Sequence, residues 1–235
     1  MRLAIMQPYL FPYLGYYSLI EYADEFMLFD TVQFIRHGWI ERNRILKPGE
    51  GWQYIQVPLV KSPRETVIKD LQIRNSEPWR EKLVAQLTHY KKRAPHYAAT
   101  VALVEKALDI DTESMVALNK HILETTCDYL GIRRPLSVFS GADLEIGVVG
   151  APDEWALEIA KARGAEEYVN PPGGQSFFDE KKYRNGGVKL TFLTNSLTPY
   201  SQRRPQFESG LSIIDVLMFN DAEAARSLIR AYELS

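Results

Sequence analysis

The sequence is poor in the residues from which special-purpose sites are built. A single cysteine, Cys127, excludes a disulfide framework and a cysteine-rich zinc site. The histidines His89, His96 and His121 lack ligand spacing to one another, so the sequence indicates no metal site. No stretch approaches the roughly 18 apolar residues of a membrane-crossing helix, and no apolar leader follows Met1. Neither sign of charge dominates: 28 Lys and Arg stand against 30 Asp and Glu, which argues against a general nucleic-acid binder. P-loop, Gly-x-Ser-x-Gly and Gly-x-Gly-x-x-Gly patterns are missing. What remains, at 235 residues and 46% hydrophobic, reads as one α/β domain over 1–235 with a sizeable core, expected in a reducing cytoplasm. Its aromatics are unevenly spread: Tyr9, Phe11, Tyr13, Tyr16 and Tyr17 crowd one short stretch.

Short apolar runs at 3–6 and 26–29 flank a helical pattern at 15–23, which predicts a βαβ start with strands buried on both faces. Residues 53–57 alternate polar and apolar and predict a strand with one free face. Residues 67–73 suggest a short edge strand. Helices are expected from a Ser76 cap to Pro95, over 97–108, and from Asp111 or Thr112 to a Gly131 stop. This predicts a helical insertion over about 76–131. Strands at 136–139, 168–169 and 188–193 alternate with helices at 152–163 and 213–219, the pattern of a doubly wound parallel sheet.

Five stretches carry groups that chemistry would use. Residues 7–16 join the first strand to the first helix, where open α/β sheets hold ligands. There Gln7 leaves a buried strand in need of a partner, Gly15 permits close backbone approach, and Tyr9, Phe11 and Tyr16 offer rings. The stretch reads either as a nucleotide seat or as a packed loop covering the sheet edge. Asp30, followed by Gln33, ends the second strand, placed to act as a base, bind an amine, hold Mg²⁺ or cap a turn. Arg36, His37, Arg42, Asn43 and Arg44 form a basic cluster suited to phosphate, or a solvated loop. Asn170 with Gly173 and Gly174 can form an anion nest or a plain loop. Tyr200, Gln202, Arg203 and Arg204 can close over phosphates, and Asp215, three residues after Ser212, reads as a capping-box residue.

In this order the segments resemble the WbqC-like protein family. The matching stretches are residues 7–17, Ala23-Asp24, residues 30–34, Arg42-Asn43-Arg44, Trp79, Tyr90, Pro95-His96-Tyr97, Gly164-Ala165, Tyr168, residues 170–178 and 211–215. The resemblance implies a place in bacterial surface-polysaccharide (O-antigen) synthesis and a glycine-transferase role. The first third is also similar to the nucleotidylyltransferase superfamily of the pantothenate-synthetase type, through Met6, Gly15-Tyr16, Ala23-Asp24 and Gln33-Phe34. Gln7 or Tyr9, and Tyr16, stand where that type's His-x-Gly-His histidines would be. This likeness implies a Rossmann-like parallel sheet and ATP with Mg²⁺ as cofactor.

Together the two imply glycyl or aminoacyl transfer to a nucleotide-linked amino sugar, forming an amide. Asp30 would orient or deprotonate the amine. Gln7 and Asn43 would bind the carbonyl oxygen, and Arg42 and Arg44 the phosphates. Tyr9, Phe11 and Tyr16 would line the base or sugar pocket. The expected partners are a nucleotide-sugar or amino acid and an acyl or aminoacyl carrier, with no genomic nucleic acid and no membrane insertion. The alternatives are a non-catalytic nucleotide- or sugar-binding protein and a nucleotidyltransferase.

Overall fold

A computed structural model describes residues 1–235. β1 (Arg2–Met6), α1 (Leu14–Tyr22) and β2 (Glu25–Leu28) form the expected βαβ start. A hairpin of β3 (Arg42–Leu46) and β4 (Trp52–Gln56) follows, outside the main sheet. Then come α2 (Trp79–Gln86), α3 (Tyr97–Leu108) and α4 (Met115–Leu130). The sheet resumes through β5 (Leu136–Val138), α5 (Glu154–Ala162), β6 (Glu167–Asn170), α6 (Glu180–Asn185) and β7 (Lys189–Asn195). α7 (Ile213–Phe219), α8 (Ala222–Ile229) and β8 (Tyr232–Leu234) come last.

The strands lie in the order β5-β2-β1-β6-β7-β8, and every neighbouring pair is parallel except β7 with β8. This is a Rossmann-like α/β fold whose strand order reverses between β1 and β6. The reason lies in the apolar runs. In β1, Ala4 joins the larger core while Leu3 and Ile5 join the smaller one; in β2, Phe26 and Leu28 divide from Met27 in the same way. Both faces of these strands are therefore covered, as a parallel sheet requires. The larger core, 47 buried residues, takes in α1, α2, α3, α4, α7 and α8, and the smaller, of 11, lies under α5 and Tyr183 of α6.

Some local expectations need correction. Residues 67–73 are not a strand: a short 3₁₀ turn, Ile68–Asp70, sits among single bridges. Ser76 caps nothing, because α2 begins at Trp79 with Pro78 at its N-cap. α4 starts three residues after Thr112, where Ser114 Oγ accepts the Ala117 N–H at 3.2 Å. Gly131 stops α4 as expected, in the left-handed conformation with φ 69°.

Asp215 is not a capping residue either. Ser212 Oγ caps α7 by accepting the Ile214 N–H, but the Asp215 side chain turns into the core, fully buried. Its carboxyl accepts hydrogen bonds from the Tyr90 and Tyr200 hydroxyls, both at 2.6 Å, and from Gln202 Nε2 at 3.0 Å. Tyr90 in turn accepts the Leu46 N–H of β3 at 2.9 Å. One buried group thus joins the hairpin, the turn after α2, the 200–202 loop and α7.

Burial pushes the Asp215 carboxyl above the ordinary carboxylate range, against the hydrogen bonds from Tyr200, Tyr90 and Gln202 that hold it down. The folded state therefore binds this proton more tightly than the unfolded chain does. The group's stabilising contribution is full below about pH 4, the unfolded value, and is lost as pH rises through the higher folded value. Tyr90→Phe strips a donor from the carboxyl and orphans the Leu46 N–H, at an expected cost of about 2–4 kcal/mol. Because the lost hydroxyl favours the ionised form, urea denaturation should show the deficit growing as pH rises through the raised folded value, above about 4.

Candidate functional site

The loop from Gln7 to α1 is irregular and largely buried, so its carbonyls need donors. Tyr16 OH donates to the Gln7 carbonyl at 2.8 Å, and Asn119 Nδ2 of α4 to the Pro8 carbonyl at 2.8 Å. Asn43 Nδ2 of β3 donates to the carbonyls of Leu10 and Phe11 at 2.9 and 3.0 Å. Ser212 Oγ also reaches the Phe11 carbonyl, and the Ile213 N–H the Pro12 carbonyl. These bonds hold Phe11 in the left-handed region at φ 38°, a costly place for an aromatic residue.

The predicted roles of this loop change accordingly. Phe11 and Tyr16 lie in the core, 1% and 0% exposed, with no surface to offer a ligand. Burial holds the Tyr16 phenol far above its usual pKa, which fits its role as a donor to the chain. Tyr9 is half-buried, its ring 5.5 Å from that of Tyr16. Gly15 does not welcome a phosphate: a Cβ there would meet the Tyr13 ring at 2.6 Å. The Gln7 side chain is half-buried rather than orphaned. Asn43, expected to bind a substrate carbonyl, binds two of the chain's own.

At the carboxyl edge of the sheet, Asp30 is 1% exposed and its two oxygens accept the Ser140 N–H at 3.0 Å and the Ser140 hydroxyl at 2.5 Å. It clamps β2 to the turn after β5. Asn170 ends β6, where its Oδ1 accepts the Tyr168 hydroxyl at 2.7 Å. Gly174 is there by necessity, since a Cβ would come within 2.5 Å of Asn170 Nδ2, whereas Gly173 is unconfined. Gln33 is exposed and donates to the Arg64 carbonyl. Tyr200 and Gln202 belong to the Asp215 network, and Arg203 stands exposed beside it at φ 53°.

The hairpin gathers the basic cluster but spends much of it internally. Arg42 lies over the Tyr54 ring at 4.0 Å and donates to the carbonyls of His37 and Gly38. Arg44 sits between Trp39 and Trp52, at 5.3 and 5.2 Å, and donates to the Gly210 carbonyl. Arg204 is anchored on the carbonyls of Lys47 and Gly51. Arg36 stays exposed, and the cations beside it come from outside the cluster. Between the hairpin, residues 58–62 and α2 lies a cleft of about 640 Å³. Arg36, Lys61, Arg74 and Lys82 line it, with Glu77 a half-buried carboxylate paired to two of them and Glu41 buried in its wall. Of these only Arg36 and His37 fall in the predicted cluster. Sequence reasoning missed Glu41 because nothing in Trp39-Ile40-Glu41-Arg42 marks a carboxyl that folding will bury.

The family model described as the WbqC-like protein family matches residues 7–227. The chain belongs to this family. It is also 30% identical to a protein of Mycobacterium tuberculosis named Uncharacterized protein Rv1507c, over 226 residues and 95% of each chain. No solved structure matches. No helix of this family member is long and apolar enough to cross a membrane.

Asn43→Ala would leave the Leu10 carbonyl buried without a donor, at an expected cost of about 1–3 kcal/mol in urea denaturation. Asn43→Asp, which sets an acceptor against two acceptors, should cost at least as much. A ligand-binding role alone for Asn43 would leave both midpoints near wild type.

Proposed function

We propose that this protein is a transferase of bacterial surface-polysaccharide synthesis that forms an amide by glycyl or aminoacyl transfer to a nucleotide-linked amino sugar. Family membership supports the setting. The observation that carries the reading is the cleft, where four cations, Arg36, Lys61, Arg74 and Lys82, outnumber one half-buried carboxylate, Glu77, and the buried Glu41. Such a rim suits the diphosphate of a nucleotide-sugar, because Arg and Lys pair with phosphate oxygens through charged hydrogen bonds. Phe34, Arg36 and His37, from the loop that leaves β2 through Asp30, form part of its lining.

ATP with Mg²⁺ finds no matching seat at the start of α1. There Tyr13 blocks Gly15, and Tyr16 replaces a histidine with a hydroxyl already bonded to Gln7. We therefore derive no step through ATP. On this reading the donor arrives as an activated ester or thioester. The sugar amine attacks its carbonyl carbon, the C–N bond forms, the C–O or C–S bond breaks, and the amine proton leaves with the alcohol or thiol. The Asp30 carboxylate, bonded to Ser140, holds β2 to the turn after β5.

The closed state of Asp30 and Asn43 favours a second reading, a nucleotide-sugar-binding protein that carries out no chemistry. Incubation with a nucleotide-linked amino sugar and a glycyl ester or thioester separates the two. Transfer predicts a product heavier by one glycyl residue in the mass spectrum. In the Arg36→Ala, Lys61→Ala double variant KM should rise about tenfold or more while kcat changes less, as expected for loss of binding common to ground and transition states. Binding without product for any activated donor would leave only the second reading.

A further inference from the structure

Glu41 combines three properties that a merely structural carboxyl would not show together. It is 4% exposed, it lines the cleft, and only one of its oxygens is used. Oε1 accepts the His37 N–H at 3.2 Å, while Oε2 is buried with no hydrogen-bond partner. Buried acceptors are nearly always paired, so an unpaired one in a cleft wall is an open valence. The surrounding cations do not fill it. Arg42, its chain neighbour, is committed to the carbonyls of His37 and Gly38 and to the Tyr54 ring. Arg36 donates to the Ser62 carbonyl, and Arg74 and Lys82 pair with Glu77 at 3.3 and 3.5 Å.

The backbone beside it is strained in the same place. His37 has φ 63°, in the left-handed region, and is held there by Glu41 through its N–H and by Arg42 through its carbonyl. Strain that neighbouring side chains enforce is characteristic of ligand clamps. His37 and Glu41 both line the cleft.

We propose that Glu41 is the receptor for a primary ammonium group on a ligand whose anionic part meets the cationic rim. The site thus reads a zwitterion: the ammonium pairs with the Glu41 carboxylate, whose Oε2 has no partner within the chain, and phosphate faces Arg36, Lys61, Arg74 and Lys82. The inference rests on placing the ligand in this cleft, as above, but not on the transfer chemistry. On the transfer reading the sugar ammonium first gives a proton to solvent, and glycylation then leaves a neutral amide at that nitrogen with the positive charge carried on the glycyl end.

The test uses the full chain, labelled for NMR, titrated with glucosamine 1-phosphate, glucose 1-phosphate and N-acetylglucosamine 1-phosphate at millimolar concentration. The three share the phosphate and differ in the ammonium. Glucosamine 1-phosphate should bind about tenfold more tightly than either other probe, with shifts centred on residues 36–41 and 58–62, since one charged hydrogen bond is worth about that factor. Glu41→Gln keeps an acceptor for the His37 N–H and should equalise the three. Lys61→Ala should weaken all three alike and preserve their ratio. Equal affinity of the three probes for wild type, absence of shifts in the cleft, or a preference that survives Glu41→Gln would overturn the assignment. If Glu41→Gln fails to fold, the wild-type ratio decides by itself. A tenfold preference without amide product in the transfer assay would retire the transferase reading and leave the ammonium receptor standing.

Discussion

The architecture depends on the need to satisfy the carbonyls of an irregular buried segment. The chain leaves β1 at Gln7 and enters a loop with prolines at 8 and 12, which cannot make its own ladder. Tyr16, Asn119, Asn43, Ser212 and the Ile213 N–H supply the donors, from α1, α4, β3 and the start of α7. Elements far apart in sequence are thereby held against one short segment. Asn119 extends the same bonding to the Ile40 carbonyl, just before β3. The hairpin stands outside the main sheet, so these bonds, with the Asp215 network, fix its position. The cleft exists because the hairpin is fixed there.

The same economy explains why the conspicuous arginines are not the ones that face a ligand. Arg42 and Arg44 lie on one face of β3, opposite Gln56 and Tyr54 of β4 in the ladder. They are close enough to the rings of Tyr54, Trp39 and Trp52 to lie over them. Stacking and carbonyl contacts occupy both guanidinium groups, as suits a planar cation, although Arg44 Nε is buried with no acceptor. Lys61, Arg74 and Lys82, scattered in sequence over a loop and α2, are left to shape the potential of the cleft.

The parts of the fold written in short-range pattern were legible. Continuous apolar runs marked β1 and β2, helical spacing marked α3 over its full length, and Gly131 marked a helix end, because each depends on neighbours in sequence. β3 was not legible: Arg42-Asn43-Arg44-Ile45-Leu46 looks like a basic loop until Trp52-Gln53-Tyr54-Ile55-Gln56 pairs with it. Asp215 misled for a related reason. Its spacing from Ser212 suits a capping box, but Tyr90 and Tyr200, distant in sequence, capture the carboxyl first. At the site, Arg36 and His37 were found from local basic composition. Glu41 was not, since an unpaired oxygen is a property of packing with no counterpart in the order of residues.

The unequal covering of the sheet has a consequence for motion. The larger core draws on six helices, α1 to α4 with α7 and α8, while the smaller is covered mainly by α5 and α6. The 143–151 stretch joins that thin side through Leu144 and Ile146. Regions with little buried apolar area open at lower free energy than the global transition. Amide exchange in α5 and α6 should therefore run ahead of that in α3 and α4. The sheet end at Asp30 and Asn170 borders the looser layer, whereas the cleft wall is built on the firmer one. The cleft can thus keep its shape while the opposite side breathes.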